Sequence, residues 1–233
     1  MRSLRAINER FYRTHAALFA AKRTRAWPGM ERLVRELPAP PATVLDVGCG
    51  HGRMAALLAS HFRGLRFTGV DASAALLERA RAREDVPSHA SWLPLDIQED
   101  PEALPTGPFD LVTLIAVIHH VPGEERRAAL LRSLASRVAP GGVLALAFWR
   151  EVGDAEKRRI PWSRADLCDE DVEPGDRLTT FDGDPDRMRY AHFASDEELA
   201  RVEAAPGLPL HGRYVDDGPD DDANAYFLWR RRA

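Results

Sequence analysis

Hydrophobic positions along the chain follow two spacings in turn, and this alternation predicts the order of the secondary-structure elements. Continuous apolar runs of strand length begin at Val44 and occupy 66–71, 109–118 and 143–149, and a short strand is predicted near 89–94. Stretches with helical spacing lie between them, at 52–63, 73–84 and 124–138. Because strands that alternate with helices form parallel sheets, the pattern predicts a doubly wound, Rossmann-like α/β fold.

Both ends of the chain extend this pattern. Apolar residues between Ile7 and Phe19 recur near helical spacing, and a second helix is predicted after Pro28. Ser195 and Glu198 match a capping box for a last helix, and strands are predicted near 208–215 and 224–230. We therefore expect a mostly parallel, seven-stranded sheet with helices on both faces and an antiparallel last strand.

The length of 233 residues suits a single domain with four regions. A helical N-terminal extension (1–41) precedes a cofactor-binding core (42–149), and a C-terminal helix with strands (195–233) ends the chain. Residues 150–194 lack clear periodicity and are rich in charge, which predicts a loop-rich insertion or lid. Five aspartates between Asp216 and Asp222 predict a solvated hairpin turn without function.

The segment VLDVGCGHGR (44–53) joins the first strand to the first core helix. Its glycines allow the backbone to turn sharply and to approach a ligand closely. A nicotinamide-binding turn would have the form G-x-G-x-x-G, but Arg53 stands where its third glycine would be. Asp46 precedes the first glycine by two residues and could hold a cationic amine, which S-adenosylmethionine has and NAD lacks.

Asp71 ends the second strand, in the place expected of an acid that accepts both hydroxyls of a ribose. With these acids and the glycine turn, the chain resembles the class I S-adenosylmethionine-dependent methyltransferases. The resemblance implies S-adenosylmethionine as cofactor, with Asp96 and Ile97 contacting the adenine. The full cofactor-binding set that we expect is Asp46, Gly48, Cys49, Gly50, Gly52, Arg53, Asp71, Ala72, Asp96, Ile97, Ile115 and Ala116.

His119 and His120 follow the fourth strand, where the transferred methyl group is expected to lie. Either imidazole could take a proton or orient a substrate, and a buried structural histidine is the alternative. Methyl transfer from a sulfonium is an in-line displacement that depends mainly on alignment. A carboxylate acceptor needs no base, whereas a hydroxyl or an amine would make His119 or His120 a plausible base.

Charge is distributed unevenly along a chain whose net charge is -4. Residues 1–25 contain seven Lys or Arg and one Glu, so this segment could meet phosphates. A solvated helix face and a targeting peptide are the alternatives. The cysteines, Cys49 and Cys168, cannot form a disulfide framework, and we expect no metal site. With no apolar run of membrane-spanning length, the sequence predicts a cytoplasmic protein without a membrane partner.

A closer resemblance extends beyond the core. IAVIHHV (115–121), ERRAALLRSL (125–134) and VAPGGVLALAFW (138–149) are similar to the tRNA wobble-uridine carboxymethyl methyltransferases. Further matches are Tyr12, Phe19, Arg23, Trp27, Pro28, Pro161, Trp162, Arg189, Tyr190, His192 and Asn224, and the chain departs from the family pattern at Leu18 and Ala225.

Members of that family methylate the carboxylate of a carboxymethyl group on the first anticodon base. The resemblance implies tRNA as a partner and, as in eukaryotic relatives, a small activating protein partner. It also implies that Arg23, Arg189 and His192 hold the carboxylate or nearby phosphates, which makes them candidate catalytic residues beside His119 and His120.

Three functions therefore follow from the sequence. The leading hypothesis is an S-adenosylmethionine-dependent methyltransferase that acts on a carboxylate, on a carboxymethyl-modified wobble uridine of tRNA. The alternative is a small-molecule O-methyltransferase that acts on the carboxyl or hydroxyl of a metabolite. A catalytically silent cofactor-binding subunit is a third possibility, against which the intact cofactor motif argues.

Overall fold

The computed structural model describes residues 2–152 and 159–233, with the side chains of residues 2, 3 and 159 left out of the description. The described strands are, in chain order, β1 (Thr43–Val47), β2 (Arg66–Asp71), β3 (His89–Pro94), β4 (Phe109–Ile115), β5 (Val138–Trp149), β6 (Arg159–Ile160), β7 (Asp176–Phe181), β8 (Asp184–His192), β9 (Leu210–Asp216) and β10 (Asn224–Arg230). The described helices are α1 (Arg2–Lys22), α2 (Pro28–Arg35), α3 (Arg53–His61), α4 (Ala74–Arg81), α5 (Glu124–Ser136) and α6 (Asp196–Ala204).

Seven strands form the main sheet, in the order β3-β2-β1-β4-β5-β10-β9. Strands β1 to β5 pair in parallel, whereas β10 is antiparallel to both of its neighbours. The predicted fold class is therefore confirmed, including the antiparallel last strand. Within the described part of the chain, we find no helix with the length and apolar character needed to cross a membrane.

Alternate residues of the central strands point to opposite faces of the sheet, and apolar side chains bury both faces. On β1, Leu45 packs in a cluster with leucines of α5 and α6. Its neighbour Val44 packs in a second cluster, with residues of α2 and α3. These two cores hold the carboxyl ends of β1 and β4 in fixed positions, which is where the polar residues of the site begin.

The ends of β4 and β5 differ from the prediction. Strand β4 ends at Ile115 rather than at 118, because Ala116 has a φ of +58° and the next residues, Ile118–His120, form a 3₁₀ turn. Strand β5 already begins at Val138 rather than at 143, and residues 139–142 lie in an irregularity of its pairing with β4. The 3₁₀ turn places both histidines at the carboxyl edge of the sheet.

The insertion predicted to be loop-rich contains a three-stranded antiparallel sheet of β6, β7 and β8, while residues 153–158 lie outside the described part of the chain. Four consecutive residues at the end of β8, from Arg189 to His192, are buried. Helix α1 packs against β8, and Leu4 joins the apolar cluster of this small sheet. This covering explains why the sequence shows no alternation of polar and apolar residues here.

The predicted capping box of α6 forms only in half. The Ser195 hydroxyl accepts from the Glu198 backbone at 3.2 Å. The Glu198 carboxylate instead accepts from Arg127 at 2.7 Å and lies 2.6 Å from His192 Nε2. His192 Nδ1 lies 2.8 Å from Asp176, so this buried charge cluster joins β7 and β8 to α5 and α6.

Stability should depend on pH through this cluster. Burial alone lowers the pKa of His192, but hydrogen bonds to Asp176 and Glu198 outweigh it and raise the pKa overall. The stability that His192 contributes is then complete below its unfolded pKa of about 6.5 and is lost as pH rises through the raised folded pKa. In urea titrations, we expect the wild type to exceed His192→Gln in free energy of unfolding by more at about pH 5.5 than at about pH 9. A difference that grows with pH would contradict the raised pKa.

One residue of the aspartate-rich turn is buried, contrary to the prediction that this turn is solvated. Asp217 is 5% exposed and accepts from the Gly29 backbone at 2.9 Å, from Asn224 at 2.7 Å and from the Tyr226 hydroxyl at 2.6 Å. It therefore fixes the start of α2 against β10. The sequence did not indicate this because the partners come from distant segments.

Candidate active site

A cavity of about 800 Å³ opens at the carboxyl ends of β1, β2 and β4. Its floor is the glycine turn between β1 and α3, and its far wall includes Trp149 at the end of β5. Helix α1 lies along the cavity and contributes six of its lining residues, namely Arg5, Asn8, Glu9, Tyr12, Arg13 and Phe19. The N-terminal extension is thus part of the site.

The three glycines of the turn have different roles. All have positive φ, at +71° for Gly48, +55° for Gly50 and +81° for Gly52, a region that favours glycine. A β-carbon at Gly48 would lie 2.3 Å from Val117, and one at Gly52 would lie 3.0 Å from Trp92. A β-carbon at Gly50 would meet no atom within 4 Å. Gly50, which lines the cavity, is therefore the position where a ligand can approach the backbone.

Two acids flank this turn. Asp46 is 2% exposed and accepts from the Thr113 hydroxyl at 2.6 Å, and burial raises its pKa to about 7. Asp71 accepts from the Gly50 and Ser73 backbones, at 2.8 Å in each case, and burial raises its pKa to about 6. Both line the cavity, where their remaining lone pairs can accept from an amine and from ribose hydroxyls.

Replacing Asp71 with alanine should weaken S-adenosylmethionine binding while the protein stays folded. The ribose hydroxyls would lose a charged acceptor, which is worth about 1.5 to 3 kcal/mol, or roughly ten- to a hundredfold in Kd. Isothermal titration calorimetry measures this effect. Asp85→Ala is a matched control, because Asp85 is exposed, pairs with Arg83 and lies outside the cavity. Equal affinity of the Asp71→Ala and Asp85→Ala proteins would remove Asp71 from the ribose site.

Asp96 and Ile97, the predicted adenine contacts, also line the cavity. One oxygen of Asp96 accepts from the Gln98 backbone at 2.8 Å, and the other lies 3.1 Å from Arg5 on α1. Arg5 further pairs with Glu99 at 2.6 Å. The acid expected to contact the adenine is thus also a docking point for α1. The remaining predicted cofactor residues that line the cavity are Cys49, Ala72, Ile115 and Ala116.

Arg53 lies beside Asp46 and gives this end of the cavity both signs of charge. Its guanidinium stacks on Trp27, 4.2 Å from the ring centroid, and its buried Nη1 has no hydrogen-bond partner among the described residues. Burial lowers the pKa of Arg53 to about 10, which leaves it cationic at neutral pH. An acid and an unsatisfied guanidinium suit the ammonium and carboxylate of an amino-acid tail, so this end fits the methionine part of S-adenosylmethionine.

The two histidines are buried, and both line the cavity. His119 stacks on Trp149 with ring centroids 3.9 Å apart, and its Nδ1 has no hydrogen-bond partner among the described residues. His120 lies between the Tyr12 hydroxyl, 2.9 Å from Nε2, and the Tyr190 carbonyl, 2.9 Å from Nδ1. Burial lowers the pKa of His119 well below its usual value and that of His120 to about 3. Both rings are therefore neutral.

Arg189 enters the same region from β8. It is 5% exposed, and its guanidinium lies 5.1 to 5.5 Å from the ring centroids of Phe11, Trp149 and Phe181. Its Nε lacks a hydrogen-bond partner, and no carboxylate of the described residues forms an ion pair with it. Arg23 also lines the cavity, 5.9 Å from the Phe181 ring. A buried cation in such a position suits an anionic substrate group.

The structure does not bring His192 to this cavity. Both of its ring nitrogens face carboxylates of the buried charge cluster, so it has no nitrogen left for a substrate. The position of His192 in the buried charge cluster gives its prediction as a candidate catalytic residue no support. Residues 189 and 192 are three positions apart on one strand, which directs their side chains to opposite faces.

Several lining residues had no role assigned from the sequence, chiefly Arg5, Asn8, His51 and Trp149. Asn8 pairs with the backbone of Tyr190 through hydrogen bonds of 2.9 and 3.0 Å. His51 lies in the glycine turn, and its Nε2 donates to the Arg23 carbonyl at 3.0 Å. The helical spacing of Arg5, Asn8 and Tyr12 is the signal that could have indicated a polar face of α1 directed at the site.

The strand order and the glycine turn after β1 define a Rossmann-like methyltransferase, and comparisons with known proteins agree. A family model described as a methyltransferase domain matches residues 45–144. A trans-aconitate 2-methyltransferase of Delftia acidovorans is 33% identical over 224 residues, which cover 91% of this chain and 76% of that protein. In four further proteins of the same name the match covers 41% to 55% of their length.

Two other similarities are weaker in identity. A probable tRNA methyltransferase 9B of Mus musculus is 29% identical over 164 residues, which cover 67% of this chain and 33% of that protein. The solved structure of a SAM-dependent methyltransferase from Methanosarcina mazei superimposes with a TM-score of 0.66 at 17% identity, over 89% of this chain and 99% of that one.

The chain therefore belongs to the class I S-adenosylmethionine-dependent methyltransferases. The predicted enzyme class and cofactor are confirmed. The expected closer resemblance to tRNA-modifying enzymes is found only at the level of this class, because the tRNA-related similarity is weaker and covers less of both chains.

Proposed function

We propose that the protein transfers the methyl group of S-adenosylmethionine to a carboxylate of a small organic acid. The observation that carries the proposal is Arg189, a buried guanidinium in the cavity with aromatic side chains around it and no ion-pair partner among the described residues. A cation that is desolvated in this way is stabilised by an anionic ligand, and guanidinium matches a carboxylate in geometry and charge.

The two histidines favour a carboxylate over a hydroxyl or an amine. A protonated nucleophile requires a base whose pKa lies near the working pH. The pKa of His120 is lowered to about 3 and that of His119 is lowered well below its usual value, so both are weak bases. An acid that is already ionised at neutral pH needs no base and can react in this environment.

A small acid agrees better with the cavity than tRNA does. The cavity volume of about 800 Å³ is within the usual range for small-molecule sites, about 300 to 1,000 Å³. Two of the seven basic side chains of the N-terminal segment form ion pairs with acids of this chain and are not free for phosphates. Arg5 pairs with Glu9, Asp96 and Glu99, and Lys22 pairs with Asp182. The similarity to trans-aconitate 2-methyltransferases, which are named for a small organic acid, supports the same choice.

The protein's own residues then act mainly by binding and orientation. When bound, S-adenosylmethionine supplies an electrophilic methyl group on its sulfonium. Asp71 and Asp46 are placed to hold the ribose and the ammonium, with Arg53 beside Asp46 for the tail carboxylate. Arg189 is placed to hold the acceptor carboxylate, and the aromatic side chains around it exclude water. Alignment in a dry site can supply most of the rate acceleration of an in-line displacement.

Labelled S-adenosylmethionine tests the proposal directly. The purified full-length protein is incubated with the labelled cofactor and, separately, with a panel of mono-, di- and tricarboxylic acids including trans-aconitate, with aliphatic alcohols and amines, and with total tRNA. We expect label in the acid panel, released by mild base because the product is a methyl ester. Base-stable label in an alcohol or an amine would overturn the carboxylate. Base-labile label in tRNA alone would overturn the small acid.

A further inference from the structure

Trp27, the residue before α2, lies against a cation at the cofactor end of the cavity. The centroid of its ring is 4.2 Å from the Arg53 guanidinium, and both side chains line the cavity. Two other cavity arginines, Arg23 and Arg189, lie 5.1 to 5.9 Å from the aromatic rings beside them. The contact between Trp27 and Arg53 is therefore tighter than theirs.

The surroundings of Arg53 suit an anionic ligand. Among the described residues we find no ion pair to Arg53, and its buried Nη1 has no hydrogen-bond partner there. Arg53 is also the first residue of α3, whose first turn contains no acid, although negative charge is what stabilises this end of a helix. A buried N–H without a partner costs free energy, which the carboxylate of a ligand would recover.

The indole ring of Trp27 is itself held in place. The backbone of Trp27 is extended, with φ −82° and ψ 155°, as expected of a residue before a proline. At the start of α2, the Gly29 N–H donates to Asp217 at 2.9 Å, and the Gly29 carbonyl accepts from the Tyr214 hydroxyl at 2.8 Å. Trp27 also packs against the apolar cluster that contains Leu33. A guanidinium that rests on this fixed ring has lost part of its freedom before a ligand binds.

We propose that Trp27 is a positioning residue for the cofactor: its indole holds the Arg53 guanidinium where the N–H groups that point away from the ring can receive the carboxylate of the methionine tail. A guanidinium and a carboxylate form two parallel hydrogen bonds only in a matched orientation, so fixing the guanidinium should raise the affinity for the tail. The inference rests on the proposed placement of the tail at Asp46 and Arg53, and it does not depend on which acid is methylated. It gives a residue outside 45–144 a role in donor binding.

Two ligands that differ in the tail test this role. S-Adenosylhomocysteine carries the amino-acid tail, whereas 5′-methylthioadenosine keeps the adenosine and the thioether and lacks the tail. In calorimetry of the full-length protein, we expect Trp27→Leu to raise the Kd for S-adenosylhomocysteine about tenfold and that for 5′-methylthioadenosine less than about twofold. Trp27→Phe is the matched control, because it keeps an aromatic face and should stay within about threefold of the wild type. An equal loss for both ligands would overturn the proposal, since the ring would then support the site as a whole.

A double-mutant cycle shows whether Trp27 acts through Arg53. Arg53→Met should raise the Kd for S-adenosylhomocysteine at least about tenfold, and adding Trp27→Leu to this variant should change it further by less than about twofold. Additive effects of the two substitutions, or an unchanged Kd in Arg53→Met, would overturn the proposal. If the affinities respond as expected and no acid is methylated, the proposed acceptor fails and the role of Trp27 stands. If acids are methylated and Trp27→Leu leaves the Kd for S-adenosylhomocysteine unchanged, only the role of Trp27 fails.

Discussion

Valine at position 50 should abolish S-adenosylmethionine binding, with a Kd at least about a hundredfold higher, equivalent to about 2.7 kcal/mol. A β-carbon at Gly50 meets no protein atom within 4 Å, so the two methyl groups of valine would project into the cavity. They would occupy the space through which the cofactor approaches the turn. Calorimetry and cofactor-induced thermal stabilisation both measure the loss.

The matched control for this substitution is Gly64→Val. Gly64 has a φ of +74°, and its β-carbon would also meet nothing within 4 Å, but it lies outside the cavity. Both variants carry the strain of a side chain in left-handed backbone, about 1 to 2 kcal/mol, and only one blocks the ligand. If Gly50→Val folds and binds the cofactor as Gly64→Val does, the turn does not contact the cofactor.

Arg189→Met should lower kcat/KM for the acid acceptor at least about a hundredfold, equivalent to about 2.7 kcal/mol, with S-adenosylmethionine affinity unchanged within about twofold. Methionine keeps much of the apolar stem but removes the charge and the hydrogen-bond donors that the carboxylate requires. Because Arg189 has no ion-pair partner among the described residues, its removal leaves no unpaired carboxylate buried behind it. The variant should therefore stay folded.

Arg187→Met controls for the loss of an arginine from the same strand. Arg187 pairs with Asp184 at 3.0 Å and is outside the cavity, so steady-state kinetics of this variant should match the wild type. An Arg189→Met enzyme with wild-type kcat/KM would remove the carboxylate anchor. A parallel loss of cofactor affinity would instead assign Arg189 to the cofactor half of the cavity.

The cofactor half of the site could be predicted because its geometry is local. A strand, a glycine turn and a helix place Asp46 and Gly50 within a few residues of one another, and Asp71 follows from the next parallel strand. The structure adds that, of the three glycines in the turn, only Gly50 faces open space, while a side chain at Gly48 would collide with Val117. Such a distinction depends on packing that spacing alone does not contain.

The acceptor half could be predicted only in part, since its residues come from distant segments. Arg189 and His192 were equivalent candidates in the sequence, and strand alternation separates them in the structure. Tyr12 was noted as a family match without a role, because its partners are reached only when α1 packs across the sheet. The same reason applies to Asp217, whose burial depends on Gly29 and Tyr226.

Tyr12, Arg23 and Arg189 all lie outside residues 45–144, the part of the chain that the methyltransferase family model matches. Helix α1 and strand β8, which come from the two flanking stretches, therefore complete a cavity whose glycine turn, acids and histidines come from the matched segment. On the proposed function, we expect substitutions of Arg23 or Arg189 to change the choice of acid more than the affinity for S-adenosylmethionine.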